Sequence, residues 1–513
     1  MSNKYLWTDN EWTFEIIKET DMAIEKIAVD EFGLDVYRNQ IEVITSEQML
    51  AAYSSVGMPI QYEHWSHGKQ FVREAKAYKR GAMGLAYEIV INSNPCIAYL
   101  MEENTMTMQA LVIAHACYGH NSFFKGNYLF QQWTDADSIV DYMIFARNYI
   151  RQCEEKHGVE AVEEILDSCH ALMNHGVDRY TKPKRLSLEK EKERQDRREA
   201  YRQEMVNDIW KTLPPTAKET KKEKDRFPKE PTENLLHFIE KNAPLLKSWQ
   251  REVIRIVRKI SQYFYPQRQT QVMNEGWASF WHHHLMNELV NRELITEGAW
   301  LEFIQSHTNV ISQPPWDSKM FSGINVYALG YNIYRDIKRM CIDPTPEDKE
   351  WFPDIVGGDW NETITFAMKN FKDESFILQF LSPKVIRDLK LFSVGDNEKN
   401  QYNYLVNNIH DDDGYKRIRT HLSNQYNLSR RDPDIQVYKV DKDGDRTLYL
   451  RHFRYNNIPL GPDTAEVLKH LYRLWGFNVI LESVDASGKI IKTHRAIKKE
   501  EVKPEETKEE KKS

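Results

Sequence analysis

The sequence predicts a mainly α protein: a large helical body, a charged central linker or exposed helix, and a small C-terminal α+β domain. Three observations carry that reading. Apolar residues recur at helical spacing over most of the chain, one long run of charge interrupts them, and near the end the spacing changes to alternation. At roughly 100 to 200 residues per domain, 513 residues suggest about three units.

Residues 1–181 read as the N-terminal helical part of the body. Ile139, Met143, Ile144, Ala146 and Ile150 form one helical stripe, and Val159, Val162, Ile165, Leu166 and Leu172 form another. Within this part, LAYEIVINSNPCIAYL is dense in β-branched residues and carries Asn92-Ser93-Asn94-Pro95, which predicts a strand or extended segment ending in a turn. Residues 182–232 then hold sixteen Lys and Arg against eleven Asp and Glu, a local net charge of +5 that leaves −12 on the rest of the chain. A solvated linker or exposed helix is expected there, with a docking surface for an acidic partner as the alternative. Helical periodicity resumes at Asn234, with breaks marked by Pro266, Pro314-Pro315 and Pro344, and defines a second helical part at 233–429. From 430 to 497 the pattern is a β-hairpin turned by Asp441–Asp445, an amphipathic helix from Pro462 to Trp475 stopped by Gly476, and a second hairpin. Residues 498–513 are Lys, Glu and a few small residues, a disordered charged tail.

Composition narrows the function. With 41 % apolar and 29 % charged residues the chain can build a core, and a net charge of −7 argues against dedicated nucleic-acid binding. No run of eighteen apolar residues occurs, so no membrane span is expected, and the first residues do not read as a signal peptide; the cytoplasm is the default. Five scattered cysteines without a CxxC argue against a disulfide framework or a zinc knuckle. A P-loop, a dinucleotide fingerprint and GxSxG are all missing from the sequence.

Histidine carries the remaining signal, with twelve of seventeen between His64 and His307. His115 and His120 lie in a helix-like apolar run. Residues five apart on an α-helix are about 140° from each other, so a π-bulge is needed to bring both onto one face, and Gly119 would ease that distortion. Glu275 and His282, seven residues apart, share a stripe of a second helix, with His283 and His284 turning away. Two imidazoles facing a carboxylate and a third imidazole make a mixed nitrogen and oxygen metal site; the bland alternative is a set of core histidines, with Glu275 paired to an arginine such as Arg268. His170 and His175 repeat the five-residue spacing, but Gly176 reads as the end of that helix. His170 stays as a neighbour-of-ligand candidate, and His64, in the expected loop Tyr62–Lys69, as a pocket candidate. Asp441–Asp445 lacks the glycine position and the final glutamate of a calcium loop and reads as a turn. His410–Gly414 reads as a solvated loop.

Ser54–Pro59 with Tyr62–Lys69, Asn94–Asn104, His115–Phe124 and Gln271–Ala278 closely resemble the SpoVR family, the stage V sporulation protein R-like proteins, over nearly the whole chain. The resemblance implies an association with spore cortex, cell-envelope or stress regulation, in a setting that often includes a serine protein kinase and a von Willebrand factor A-like protein. It implies no settled activity. His115-Ala-Cys-Tyr-Gly-His120 is also similar to the HExxGH helix of dipeptidyl peptidase III-like zinc peptidases, in which two histidines and a later glutamate bind zinc. Here Ala116 stands where those peptidases place the general base, so a hydrolase would need another carboxylate, and Glu102 and Glu103 are nearest in sequence. The expectation is a metal-dependent amide hydrolase holding zinc or another divalent transition metal through His115, His120 and Glu275, with His282 as a fourth ligand. A non-enzymatic regulatory adaptor or scaffold, acting with the kinase and the von Willebrand factor A-like partner, is the alternative.

Overall fold

The structure, a computed structural model, describes residues 5–55, 57–79, 88–179, 227–228, 230–314, 321–398, 404–406, 409–454 and 458–497, with Arg197, Ala200 and Lys319 besides. The expected central linker and C-terminal tail fall almost wholly outside these residues. By its contacts the chain divides into two units, Met1–Glu163 with Lys259–Asp432 and Glu164–Arg258 with Pro433–Ser513. The protein is mainly α, with small sheets.

The first unit is organised around helices that have no polar face. Met106–Ile113 starts at Thr105, whose hydroxyl accepts from the Met108 N–H at 3.3 Å, and every residue in it except Met108 is buried. A helix apolar all round belongs in the middle of a core. It continues without a break as a π-helix, Ala114–His120, and then as Asn121–Gly126. Gln271–Asn291 packs against this run and is itself buried along most of its length. The Asp373 carboxylate caps its N-terminus, accepting from the N–H groups of Val272 and Met273 at 2.9 Å each. Val326–Ile342 crosses the same helix where Gly276 meets Gly330, and a Cβ on either glycine would strike the other helix's backbone.

Beside these helices lies a three-stranded sheet. Cys96–Met101 is its centre, parallel to Asn39–Ile44 and antiparallel to Glu88–Ile91. The strand and turn expected between residues 84 and 100 are therefore two strands joined at Asn92–Pro95. Asn39–Ile44 lies in a stretch read as helical; its partner strand is distant in sequence, so no local pattern announces it. Three further readings need correction. Trp65–Lys79 is a helix rather than part of a loop, the Val159–His170 helix stops at His170 rather than near Gly176, and Ser248–Gln269 passes through Pro266. Pro266 sits in the last turn, where it forfeits a hydrogen bond without breaking the helix. His410–Gly414 leads into a helix, Asp412–Gln425, capped by the Asp411 side chain.

In the second unit a four-stranded sheet runs Asp434–Val440, Leu448–Phe453, Val479–Val484, Ile490–Ala496. Both outer pairs are the expected antiparallel hairpins, and the inner pair is parallel because the Thr464–Trp475 helix crosses between them. Gly476 ends that helix at φ 84°, where a side chain would be strained. The Asp441 carboxylate accepts from the Gly444 N–H at 3.2 Å, the hairpin turn read from the sequence. No helix among the described residues is long and apolar enough to cross a membrane.

Candidate metal centre

The expected distortion at His115–His120 is a full π-helical segment. The Asn121 N–H reaches back five residues to the Ala116 carbonyl, which brings His115 and His120 onto one face with ring centroids 4.6 Å apart. Gly119 has a reason beyond the one expected. An added Cβ there would stand 2.6 Å from Ala278 Cα, so the glycine lets the π-helix touch the Gln271–Asn291 helix backbone to side. That contact sets the histidines against Asn274 and Glu275.

Two nitrogens and two carboxylates converge there. His115 Nε2 lies 3.3 Å from Glu88 Oε1 and 3.8 Å from Glu275 Oε2. His120 Nε2 lies 4.0 Å from Glu88 Oε1 and 3.5 Å from Glu275 Oε2. Most of these separations are too long for good N–H···O bonds. Two of them, His115–Glu88 at 3.3 Å and His120–Glu275 at 3.5 Å, match the edge of a tetrahedral site, where donors about 2.0–2.2 Å from the metal lie about 3.3–3.6 Å from one another; the other two, at 3.8 and 4.0 Å, are wider. Among the described residues, Glu88, His115 and His120 each offer a ligand atom, all within 4.8 Å of one another.

The chemistry of the donors fits a divalent ion. Asn274 Oδ1 can only accept, and it lies 3.0 Å from His120 Nδ1, so His120 donates through Nδ1 and presents a bare Nε2 lone pair when neutral. Glu88 Oε2 and Glu275 Oε2 are buried and make no hydrogen bond, a costly state for a carboxylate oxygen unless a cation meets it. Burial, with the charge of Glu275 beside it, pushes Glu88 well above the usual carboxylate range. Burial also lowers His115, to about 4, against the opposing pull of Glu275. Glu275 stays below its usual range despite burial, held there by His120, His115 and the nearby Tyr327 hydroxyl. A bound cation would displace the Glu88 proton, and two imidazole nitrogens with two ionised carboxylates would then match a 2+ charge; nitrogen and oxygen donors without a thiolate suit zinc and its first-row neighbours.

The group opens on a cavity of about 380 Å³, whose lining includes Glu88, His120, Asn274, Glu275, Phe124, Phe130, Tyr263 and Tyr327. Of the sequence candidates, His115, His120 and Glu275 are brought together. His282 stands behind His115, with its Nδ1 2.7 Å from His115 Nδ1, and faces neither carboxylate. Glu102 and Glu103 are exposed in the turn after Cys96–Met101; the Glu102 carbonyl accepts from Trp12 and the Glu103 carboxylate from the Ser46 N–H, away from the cavity. His64 is buried at the start of the Trp65–Lys79 helix, its Nδ1 2.7 Å from Ser66 Oγ, and His170 closes the Val159–His170 helix; neither lines the cavity. Arg268 bonds both oxygens of Asp432 rather than Glu275. Sequence reasoning missed Glu88, Asn274, His307 and Tyr327. A lone carboxylate in the apolar run AYEIVI was the one signal for Glu88, and nothing local ties it to His115.

Residues 11–431 match the family described as SpoVR like protein, and residues 433–486 match the SpoVR-like C-terminal domain. The chain is 61 % identical over 482 residues, 94 % of each protein, to the "Uncharacterized protein YcgB" of Escherichia coli (strain K12). No solved structure matches it. The motifs around His115 and Glu275, the two matched regions and this relative together place the chain in the SpoVR family.

Proposed function

We propose that this protein is a metal-dependent hydrolase acting on an amide in a peptide or cell-wall precursor. One observation carries the reading: the Nε2 atoms of His115 and His120 face the carboxylates of Glu88 and Glu275 at 3.3 to 4.0 Å, beside a cavity of about 380 Å³. A divalent ion held there would polarise the amide carbonyl and bring the pKa of a bound water toward neutrality. The chain supplies the rest. His115 and His120 would hold the ion through Nε2, with Asn274 orienting His120. One carboxylate of the Glu88 and Glu275 pair would complete a three-ligand set; the other would take a proton from the attacking water and hand it to the amide nitrogen as the C–N bond breaks, releasing an amine and a carboxylate. The pair thereby fills the place that Ala116 leaves empty, a role typically contributing about 10²- to 10⁴-fold in rate. Phe124, Phe130 and Tyr263 give the amide's neighbours an apolar wall. The cell-envelope or stress setting, with a serine protein kinase and a von Willebrand factor A-like partner, belongs to the same proposal.

The test is hydrolysis of a panel of peptides and peptidoglycan fragments by the purified protein, with and without chelator. Glu88→Gln and Glu275→Gln should separate, one losing metal and the other keeping metal but losing turnover. If no amide is cleaved, the chelator changes nothing, and His115→Ala behaves as the unsubstituted protein in every assay, the adaptor reading replaces this one.

A further inference from the structure

Behind the candidate metal centre three imidazoles run in file into the core. His115 Nδ1 lies 2.7 Å from His282 Nδ1, and His282 Nε2 lies 2.7 Å from His307 Nδ1. The residues are 4 %, 1 % and 3 % exposed, so solvent reaches none of these contacts. The elements responsible are the π-helix, Gln271–Asn291 and Glu297–Val310. Phe303 and Tyr331 pack their rings on His307, and His307 Nε2 is buried with no hydrogen-bond partner. Facing nitrogens 2.7 Å apart must share one proton, and a charged imidazolium buried in this apolar interior is costly, so each ring carries a single N–H.

Three neutral rings in file allow two hydrogen-bond arrangements. In the first, each N–H points toward the cavity: His307 Nδ1 donates to His282 Nε2, His282 Nδ1 donates to His115 Nδ1, and His115 keeps its N–H on Nε2, facing Glu88. In the second, every direction is reversed: His115 Nδ1 donates to His282 Nδ1, and His282 Nε2 donates to His307 Nδ1. Any mixture sets two N–H groups or two lone pairs face to face at 2.7 Å. A metal can bind His115 Nε2 only in the second arrangement, because the first occupies that nitrogen with a proton.

We infer that His282 and His307 are positioning residues for the metal centre: they accept the His115 N–H in relay, so that His115 presents its Nε2 lone pair to the space shared with Glu88 and Glu275. The inference rests on the metal reading above. It gives His282 the orienting role that a carboxylate or carbonyl commonly plays behind a metal-bound histidine, and losing such a partner typically weakens metal binding about 10- to 100-fold. It also explains why a third and a fourth helix-borne histidine sit in an otherwise apolar interior.

Cobalt(II) titration of the full chain, read by visible absorption, tests it. Wild type should bind, and His115→Ala should not; failure of either overturns the metal reading and this inference with it. With those two results in hand, His282→Leu should weaken binding about 10- to 100-fold and shift the cobalt spectrum. His282→Gln should stay within a few-fold of wild type, because its amide oxygen accepts from His115 and its amide nitrogen donates to His307. Equal affinity of His282→Leu and wild type, or equal loss in His282→Leu and His282→Gln, overturns the relay and leaves the metal reading standing. If His282→Leu does not fold, His307→Leu replaces it and should bind cobalt about tenfold more weakly; unchanged binding overturns the relay. Nitrogen-15 spectra of the zinc-loaded protein give an independent reading: His282 should be the Nε2–H tautomer, and the Nδ1–H tautomer would overturn the inference.

Discussion

Gly119 is where the helix carrying both histidines touches the helix carrying Asn274, Glu275 and His282, and a methyl group there should damage stability and metal binding together. It would stand 2.6 Å from Ala278 Cα, 2.8 Å from Ala278 Cβ and 3.3 Å from the Ala278 carbonyl oxygen. Non-bonded carbons rest about 3.5–4.0 Å apart. The obstacle is helix backbone, so the two helices must part by roughly 1 Å at this point. Overpacking of this kind costs about 1–3 kcal/mol, against the nearly 1 kcal/mol that alanine regains over glycine within a helix. Parting also moves His120 Nε2 from Glu275 Oε2, now 3.5 Å away, beyond ligand-edge spacing. In Gly119→Ala the urea midpoint of unfolding, followed by tryptophan fluorescence, should fall, and metal affinity should drop at least about tenfold. Gly68, where an added Cβ meets nothing within 4 Å, is the control, and Gly68→Ala should be neutral or slightly stabilising. A Gly119→Ala protein with the wild-type midpoint and wild-type metal affinity would refute the helix-contact argument.

Three other expectations come from single residues. Asn274→Leu removes the acceptor behind His120 and should weaken zinc binding about 10- to 100-fold by competition titration, whereas Asn274→Asp, which restores an acceptor, should retain it. Burial pushes Asp373 up to about 7 from an ordinary 3.8 despite the backbone donors at Gln271, Val272 and Met273, so the folded state holds this proton more tightly than the unfolded state. Its contribution therefore declines as pH rises from about 4 to about 7. The stability of wild type relative to Asp373→Asn should fall across that window in urea melts; a flat difference would count against the burial argument. Glu240 is buried among Lys241 at 2.9 Å, Arg255 at 3.0 Å and Arg258 at 3.2 Å. Burial alone would raise it, but His237, Lys241 and the arginines hold it below its usual range. Glu240→Ala should cost about 2–3 kcal/mol at neutral pH, discounted for the partly exposed cations, and less as pH falls below the ordinary glutamate range.

What the sequence revealed was local. The five-residue spacing of His115 and His120 implies its own distortion, because helix geometry fixes where neighbours on one segment point. The hairpins at Asp434–Phe453 and Val479–Ala496 are legible for the same reason: alternation and turn residues sit side by side in the chain. What the sequence hid was assembled from distant segments. Glu88 reaches the histidines from a strand, so the search for a base in place of Ala116 among sequence neighbours led to Glu102 and Glu103, which face solvent. His282 shares a stripe with Glu275 but meets the other nitrogen of His115, since a stripe fixes a face and not the atom it meets. Gly119 was legible as special, yet one reason for it, the backbone of Ala278, lies on another helix. Asn39–Ile44 is a strand only because Cys96–Met101 lies beside it.

X-ray absorption at the zinc edge of the purified, zinc-loaded protein tests the metal centre most directly. The account predicts about one ion per chain, with two imidazole nitrogens and at least one carboxylate oxygen at about 2.0–2.2 Å, and loss of the bound ion in His115→Ala. A chain that holds no stoichiometric ion, or one whose ion shows no imidazole scattering and survives His115→Ala, would contradict it.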